Sequence, residues 1–284
     1  MKKEARQGKY QGPLCMLGAS VCFATGGVLC KLIPWSPLAI NGVRSLIAAV
    51  VVGLYLLLTG HRLRMNRFTF FGAVCYVGVT TLFVAANKMT TAANAIILQY
   101  TAPIWIMVMM ALFFRKKPGR PELVTMAAVM AGILCFFMDS LSGGRLAGNL
   151  AAVLSGVFYA GLFILNSFEQ GDTLSALFFG QLISGICLSP MALREQDFGM
   201  TAMTAVLALG LIQVGLAYIL FSEGTARTGP VAAALINGVE PVLSPILVAL
   251  VFHEMLSTAA LIGAVIVLAA ILAYNLYQTG KHTS

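Results

Sequence analysis

Apolar residues fill this chain in long runs, and polar residues gather in short strips between them. A helix that crosses a bilayer needs about 20 mostly apolar residues. Ten runs meet that requirement: 12–33, 36–58, 67–87, 91–114, 120–139, 146–168, 172–192, 199–223, 229–252 and 257–278. Short tails remain at 1–11 and 279–284, and the links between runs are too brief for a soluble domain. Breakers mark several junctions: Pro34–Trp35–Ser36–Pro37 parts the first two runs, and Lys117–Pro118–Gly119 parts the fourth from the fifth. The basic N-terminal strip before an apolar run has the outline of a signal peptide. The run is long for that role and no cleavage signal follows, so it reads as an uncleaved first span. The pattern predicts an all-α integral membrane protein of ten transmembrane helices.

Composition turns this into an exclusion. Hydrophobic residues make up 59% of the 284, and charged ones only 10%. Soluble domains carry roughly 25% charged residues, so this chain lacks the polar surface to cover a water-facing globule. The formal net charge is +8, but the basic residues lie in strips between apolar runs rather than in one patch. That is the pattern of membrane loops and gives no footing for nucleic acid. With the N-terminus in the cytoplasm, inner segments hold thirteen of the eighteen Lys and Arg residues, and outer segments hold only Lys88, Arg145 and Arg194. Lys31 and Arg44 lie within spans. The asymmetry predicts cytoplasmic N- and C-termini and an even number of spans in the cell (inner or plasma) membrane. Six cysteines all fall in apolar runs with no C-x-x-C spacing, so neither disulfides nor a zinc site is expected.

The chain also resembles itself. Shifted by 138 positions, Thr90 meets Thr228, Ala95 meets Ala233, Pro103 meets Pro241, and Phe114 meets Phe252. Nearer the start of each half the offset is 135, where Ser20-x-x-Phe23 meets Ser155-x-x-Phe158. Each identity is weak in apolar sequence; the constant offset and the shared proline carry the weight. Five spans per half is an odd number, so the second half (146–278) enters the membrane from the side opposite to the first (12–139). Two inverted five-helix repeats are expected, related by a pseudo-two-fold axis in the membrane plane. Secondary transporters use this arrangement, with the substrate site between the halves near the midplane.

Several local patterns resemble the drug/metabolite transporter superfamily, in its EamA-type branch. The alanine-rich run from Val231 closes on Glu240–Pro241. His253–Glu254 is followed by Leu261-Ile-Gly263-Ala-Val-Ile. Phe23-Ala-Thr-Gly-Gly leads to Lys31, and Arg44 stands early in the second span. Phe23 stands where the family usually has Trp, and Arg115–Lys116 where it often has Glu. The resemblance covers nearly the whole chain as two tandem EamA-like units. It implies a ten-helix carrier of small metabolites or amino acids, and names no substrate.

Candidate chemistry concentrates in a few residues. Glu240 lies about eleven residues into its span, near the bilayer centre, where an ionised carboxylate costs on the order of 2–3 kcal/mol. Protonation, pairing or a wet cavity would relieve that cost. Pro241 and Pro245 each remove a backbone donor, which predicts a kinked, locally polar helix. Glu240 is thus a candidate for substrate binding and for proton coupling; the alternative is a structural acid bonded to a neighbouring helix. Gln99 and Asn237 are repeat equivalents, four residues before the shared Pro103 and Pro241. They are candidates to read a ligand's polar groups, or to serve as interhelical glue. Arg44, whose approximate repeat partner is Gln181, keeps its proton and must find carboxylate, carbonyls or water. It could hold a substrate carboxylate bidentately, or be structurally paired. Trp105, Tyr100, Tyr159 and Tyr218 are candidate walls of a binding cavity, or packing residues. Lys31, together with the three prolines, is a candidate gating or structural residue that can snorkel. Glu254, Glu223 and Lys88 lie at span ends.

Enzyme signatures are missing. His253–Glu254 is not followed by a second His at H-E-x-x-H spacing, and Gly280–Lys281 is followed by His282 rather than by a phosphate-loop Ser or Thr. No cofactor or metal is expected. The reading is a secondary transporter, most simply an exporter, working by alternating access on a small-molecule substrate, with the lipid bilayer as its other partner. The alternatives are a lipid-linked flippase and a non-transporting scaffold or sensor subunit. A monomer could enclose the pathway, and a homodimer is compatible.

Overall fold

The computed structural model describes residues 2–90, 92–136, 138, 146–253 and 257–281, with side chains from residue 11 onward except at 87–88, 92–94, 136, 275 and 278–281. Arg145, Glu254 and the end of the C-terminal tail at 282–284 lie outside the described residues, as does the side chain of Lys88. The described chain is helical throughout: α1 (Lys2–Ala24), α2 (Gly26–Lys31), α3 (Pro37–Thr59), α4 (Arg67–Met89), α5 (Ala92–Gln99), α6 (Ala102–Phe114), α7 (Arg120–Phe136), α8 (Leu146–Ile164), α9 (Thr173–Leu188), α10 (Met200–Ala208), α11 (Ala217–Arg227), α12 (Pro230–Asn237), α13 (Glu240–Phe252) and α14 (Thr258–Lys281). A π-helical stretch, Leu209–Leu216, joins α10 to α11 without a break. Eight segments are long and apolar enough to cross a membrane, and the last helix carries a shorter apolar stretch, Thr258–Tyr274. The run expected at 120–139 appears as the 17-residue α7. Large apolar side chains such as Leu58 (86% exposed), Leu112 (72%) and Phe70 (69%) face outward. A water-facing monomer does not present apolar surface on this scale; lipid is the medium that accepts it.

Local chemistry sets the helix ends. Ser36 caps α3 by accepting from the Ala39 N–H, and Pro37 occupies the first turn, where its missing N–H costs nothing. Gly60 ends that helix in the left-handed conformation (φ 65°). The side chains of Asn66 and Asp172 cap α4 and α9. The repeat is legible in these boundaries residue for residue. α5 and α12 correspond at both ends under the 138 offset, as do α6 and α13. Pro103 and Pro241 both sit at the second position of a new helix. Arg115 and His253, also 138 apart, close α6 and α13 at φ 55° each. The kink expected near Pro241 is therefore a full interruption at Gly238–Val239, and the first half has its counterpart at Tyr100–Thr101.

The packing exchanges the halves. α1 packs on α11, α12 and α13, and its repeat equivalent α8 packs on α4, α5 and α6. α3 packs on its own equivalent α9, and α7 on its equivalent α14. The first helix of each half thus inserts into the other half. Close approach needs small residues: a Cβ on Gly42 would lie 2.2 Å from the Ser189 nitrogen, and one on Gly156 would lie 2.7 Å from the Gln99 carbonyl oxygen.

Polar contacts clasp both ends of the α3–α9 pair. At one end the Ser36 backbone N–H and hydroxyl both donate to Glu195 Oε1 (2.9 and 2.6 Å), and Trp35 Nε1 donates to the Asp197 carbonyl (2.5 Å). At the other end His61 Nε2 lies 2.8 Å from Asp172 Oδ2, Ser175 Oγ donates to the same oxygen (2.6 Å), and Asn66 Nδ2 donates to the Gln170 carbonyl (2.9 Å). Burial opposes the charge on Asp172, yet hydrogen bonds from Ser175 and His61 prevail and hold its carboxyl below the usual carboxylate range. Folding therefore lowers this group's proton affinity. Its contribution to stability is present above the unfolded-state pKa, about 4, and is lost as pH falls through the lower folded value.

Two measurements of thermal unfolding in detergent micelles check this packing. Asp172→Ala is expected to cost about 0.5–2 kcal/mol at neutral pH through the lost cap, with the gap from wild type closing in acid. Gly42→Ala is expected to cost about 1–3 kcal/mol by overpacking, because the atoms in its way are backbone.

Candidate functional site

The two interrupted spans meet at the middle of the bundle, and the interruption in the second half carries the acid. Glu240 is the first residue of α13, so its carboxylate stands at the positive end of a helix. Tyr100, at the interruption of the first half, donates its hydroxyl to Glu240 Oε2 at 2.6 Å. Asn237, the last residue of α12, donates to the same oxygen at 3.1 Å and to the Tyr159 hydroxyl at 3.0 Å. Asn237 Oδ1 in turn accepts from Ser20 Oγ on α1 (3.2 Å). Four spans, α1, α5–α6, α8 and α12–α13, thus join one polar network that ends on this carboxylate. Tyr100, Tyr159 and Asn237 are buried (6%, 6% and 1% exposed), while Glu240 is half-buried. Among the described residues no cation pairs with it, and its Oε1 has no protein partner. The site can accept a proton, or a hydrogen-bond donor of a ligand, on that open oxygen. Pro245 lies inside α13 and leaves the Pro241 carbonyl without its helical donor.

The remaining candidates are distributed around this centre. Gln99 and Asn237 do not meet each other. Gln99 Nε2 donates to Ser155 Oγ (2.7 Å) just as Asn237 engages Ser20, so each carboxamide bonds the equivalent serine of the opposite half. Tyr218 is held in an aromatic strip. Its ring lies 5.2 Å from Tyr76, 4.9 Å from Phe23 and 5.9 Å from Phe221, and Phe221 lies 6.2 Å from Tyr159. Phe23 thus packs edge-on to Tyr218. Trp105 keeps to its own helix, donating to Thr101 Oγ1 at 3.3 Å. Lys31 ends α2 with Nζ 4.8 Å from the centroid of Phe252, which ties α2 to the far end of α13. Arg44 stands apart from Glu240, bonded to Asn41 and Gln213. Sequence reasoning used Ser20 and Ser155 only as markers of the repeat and passed over Asn41 and Gln213; a lone polar residue inside an apolar run was the signal available for each. Among the described residues no group of three or more His, Cys, Asp or Glu gathers to hold a metal.

Comparison with known proteins decides the family. The profile of the EamA-like transporter family matches twice, over residues 11–138 and 146–276. The chain belongs to the EamA-like transporter family. It is similar to the uncharacterized transporter YwfM of Bacillus subtilis, 28% identical over 278 residues that cover 91% of this chain and 92% of that protein. It is also similar to the uncharacterized inner membrane transporter YicL of Salmonella typhimurium, 22% identical with 94% and 95% covered. A crystal structure superposes with a TM-score of 0.80 at 18% identity, covering 95% of this chain and 98% of the other, and so shows the fold alone. This EamA family member is a multi-pass membrane protein with a polar centre at its two broken spans.

A double-mutant cycle tests that centre. Tyr100→Phe is expected to cost about 1.5–3 kcal/mol, the range for a hydrogen bond to a charged group. Combined with Glu240→Ala, it should show a coupling of about 0.5–3 kcal/mol. Additive losses in thermal unfolding would mean that the two side chains do not interact.

Proposed function

We propose that this EamA family member is a secondary transporter that moves small polar metabolites across the cell inner membrane by alternating access, with Glu240 at the centre of its substrate and proton site. The observation that carries this reading is a half-buried carboxylate at a mid-span interruption, bonded by neutral groups on one oxygen only. A carboxylate at this depth must shed its charge, bind a cationic or donor group, or sit in water, and each of these states suits a cycle of binding and release. The exchange of packing partners between residues 12–139 and 146–278 supports two inverted five-helix halves that rock about the α3–α9 and α7–α14 contacts. The predicted topology of ten spans, both termini cytoplasmic, completes this scheme. The inner-membrane name of the Salmonella relative supports the location. Export follows the expected direction, with an inward proton gradient as the driving force through Glu240.

Proteoliposome flux tests the reading. Purified protein is assayed across an amino-acid and metabolite panel with an imposed pH gradient. Gradient-dependent movement is expected for wild type, and a fall of at least about tenfold for Glu240→Gln, equal to roughly 1.4 kcal/mol of lost interaction. Wild-type flux in that variant would remove Glu240 from the mechanism. Movement of no solute by folded protein would favour the flippase or scaffold readings instead.

A further inference from the structure

A full positive charge lies inside the bundle with no acid to match it among the described residues. Arg44 is two turns into α3, about 10 Å along the axis from Pro37 at the usual helical rise, and is half-buried. Its Nε and Nη2 donate to Asn41 Oδ1 at 3.1 and 2.9 Å, and its Nη1 donates to Gln213 Oε1 at 3.1 Å. Among the described residues no carboxylate pairs with it.

The fold builds this cluster deliberately. Arg44, Ile47 and Val51 share one stripe of α3, and that stripe faces the π-helical stretch: Gly210 seats Ile47 and Gly215 seats Val51. Gln213 lies between the two glycines, its amide resting on Gly26 of α2. A π-helical insertion re-aims side chains and is frequent at functional sites.

Donor geometry says what the cluster lacks. A guanidinium offers five N–H donors and no acceptor, so both amides must turn their oxygens toward it. Their NH2 groups then point away. Asn41 is 1% exposed, and its Nδ2 is buried without a partner. Two guanidinium N–H groups also remain unused, since three donate. The site therefore presents a cation with two unused donors, and its neutral amide acceptors leave the charge uncompensated. Water could satisfy the amides but leaves the charge uncompensated in a low-dielectric interior. An oxyanion meets the guanidinium's charge and its two free N–H groups.

We propose that Arg44, held in place by Asn41 and Gln213, binds the oxyanion of the transported molecule, so that its substrates are small metabolites bearing a carboxylate- or phosphate-type group. This rests on the transporter reading above. The strip Tyr76–Tyr218–Phe221–Tyr159 runs from beside this cluster, where Tyr76 contacts Ser45 (3.4 Å between hydroxyls), to the Glu240 centre. The Arg44 cluster and the Glu240 centre are thus joined by a strip of buried aromatic rings.

Thermal unfolding of the full chain in maltoside micelles, at matched chloride ionic strength, tests it with benzoate, phenyl phosphate and benzamide. The two anions are expected to raise Tm and benzamide is not. In Arg44→Gln the anions' apparent affinity should fall by about tenfold or more, as for a lost charge-assisted bond. Asn41→Asp keeps the side-chain size and supplies Arg44 with an internal carboxylate, so this variant should stay folded and yet lose the anion effect. Wild-type affinity in folded Asn41→Asp, or equal stabilisation by benzamide, overturns the proposal. If added phosphatidylglycerol abolishes the benzoate effect, the occupant is a lipid headgroup and the assignment to substrate is overturned. Glu240-dependent flux of an uncharged solute, unchanged in Arg44→Gln, removes this inference and leaves the transporter standing. Arg44-dependent benzoate binding with no flux of any solute does the reverse, supporting the oxyanion site alone.

Discussion

A helix broken at the centre of a membrane leaves amides and carbonyls in a medium that offers them no hydrogen bonds. This chain makes such a break twice, at Tyr100–Thr101 and at Gly238–Val239. The prolines at the second position of α6 and α13 reduce the number of orphan donors, and tight turn bonds within the chain, from the N–H groups of Thr101, Gly238 and Val239 to Leu98, Leu235 and Ile236, satisfy donors at the breaks. Both breaks are tolerated only because they are buried against each other and against the first helices of the two halves. From that requirement follow the exchange of α1 and α8 between halves, the glycines at the crossings, and the network of Tyr100, Tyr159, Asn237 and Ser20 that ends on Glu240.

The two halves share a backbone and differ in chemistry. Helix boundaries repeat at an offset of 138, down to the left-handed residues that end α6 and α13. At the positions that carry charge the repeat is broken. Glu240 corresponds to Ala102, and Arg44 approximately to Gln181. The acid therefore belongs to the second half and the base to the first. Similar halves are the mechanical condition for two mirror-related states. Unlike side chains at the centre are the condition for binding something with a direction and a chemical identity.

Burial separates the roles of the polar groups. The end clasps, Ser36 with Glu195 and His61 with the buried Asp172, tie the α3–α9 pair at its two ends. The same contact types deep in the span cost far more to leave unmet. Gln99 and Asn237 illustrate the difference. Equivalent in sequence and each bonded to an equivalent serine, they diverge because only Asn237 has an acid one turn away.

Apolar run length and the constant offset were sufficient by themselves to determine membrane class, eight of the long spans and the tandem repeat. Each follows from lipid excluding polar backbone and from chain symmetry, and needs no knowledge of contacts. Glu240, Asn237 and Arg44 were also legible, since a polar side chain in an apolar span must be accommodated somewhere. Their partners were not. That Tyr100 reaches Glu240 across 140 positions, and Gln213 reaches Arg44 across 169, was decided only by tertiary packing. Helical periodicity fixes which residues share a face, but not which face of another helix it meets. In this chain a π-helical stretch and a few glycines, too weak to stand out in an apolar sequence, made that choice.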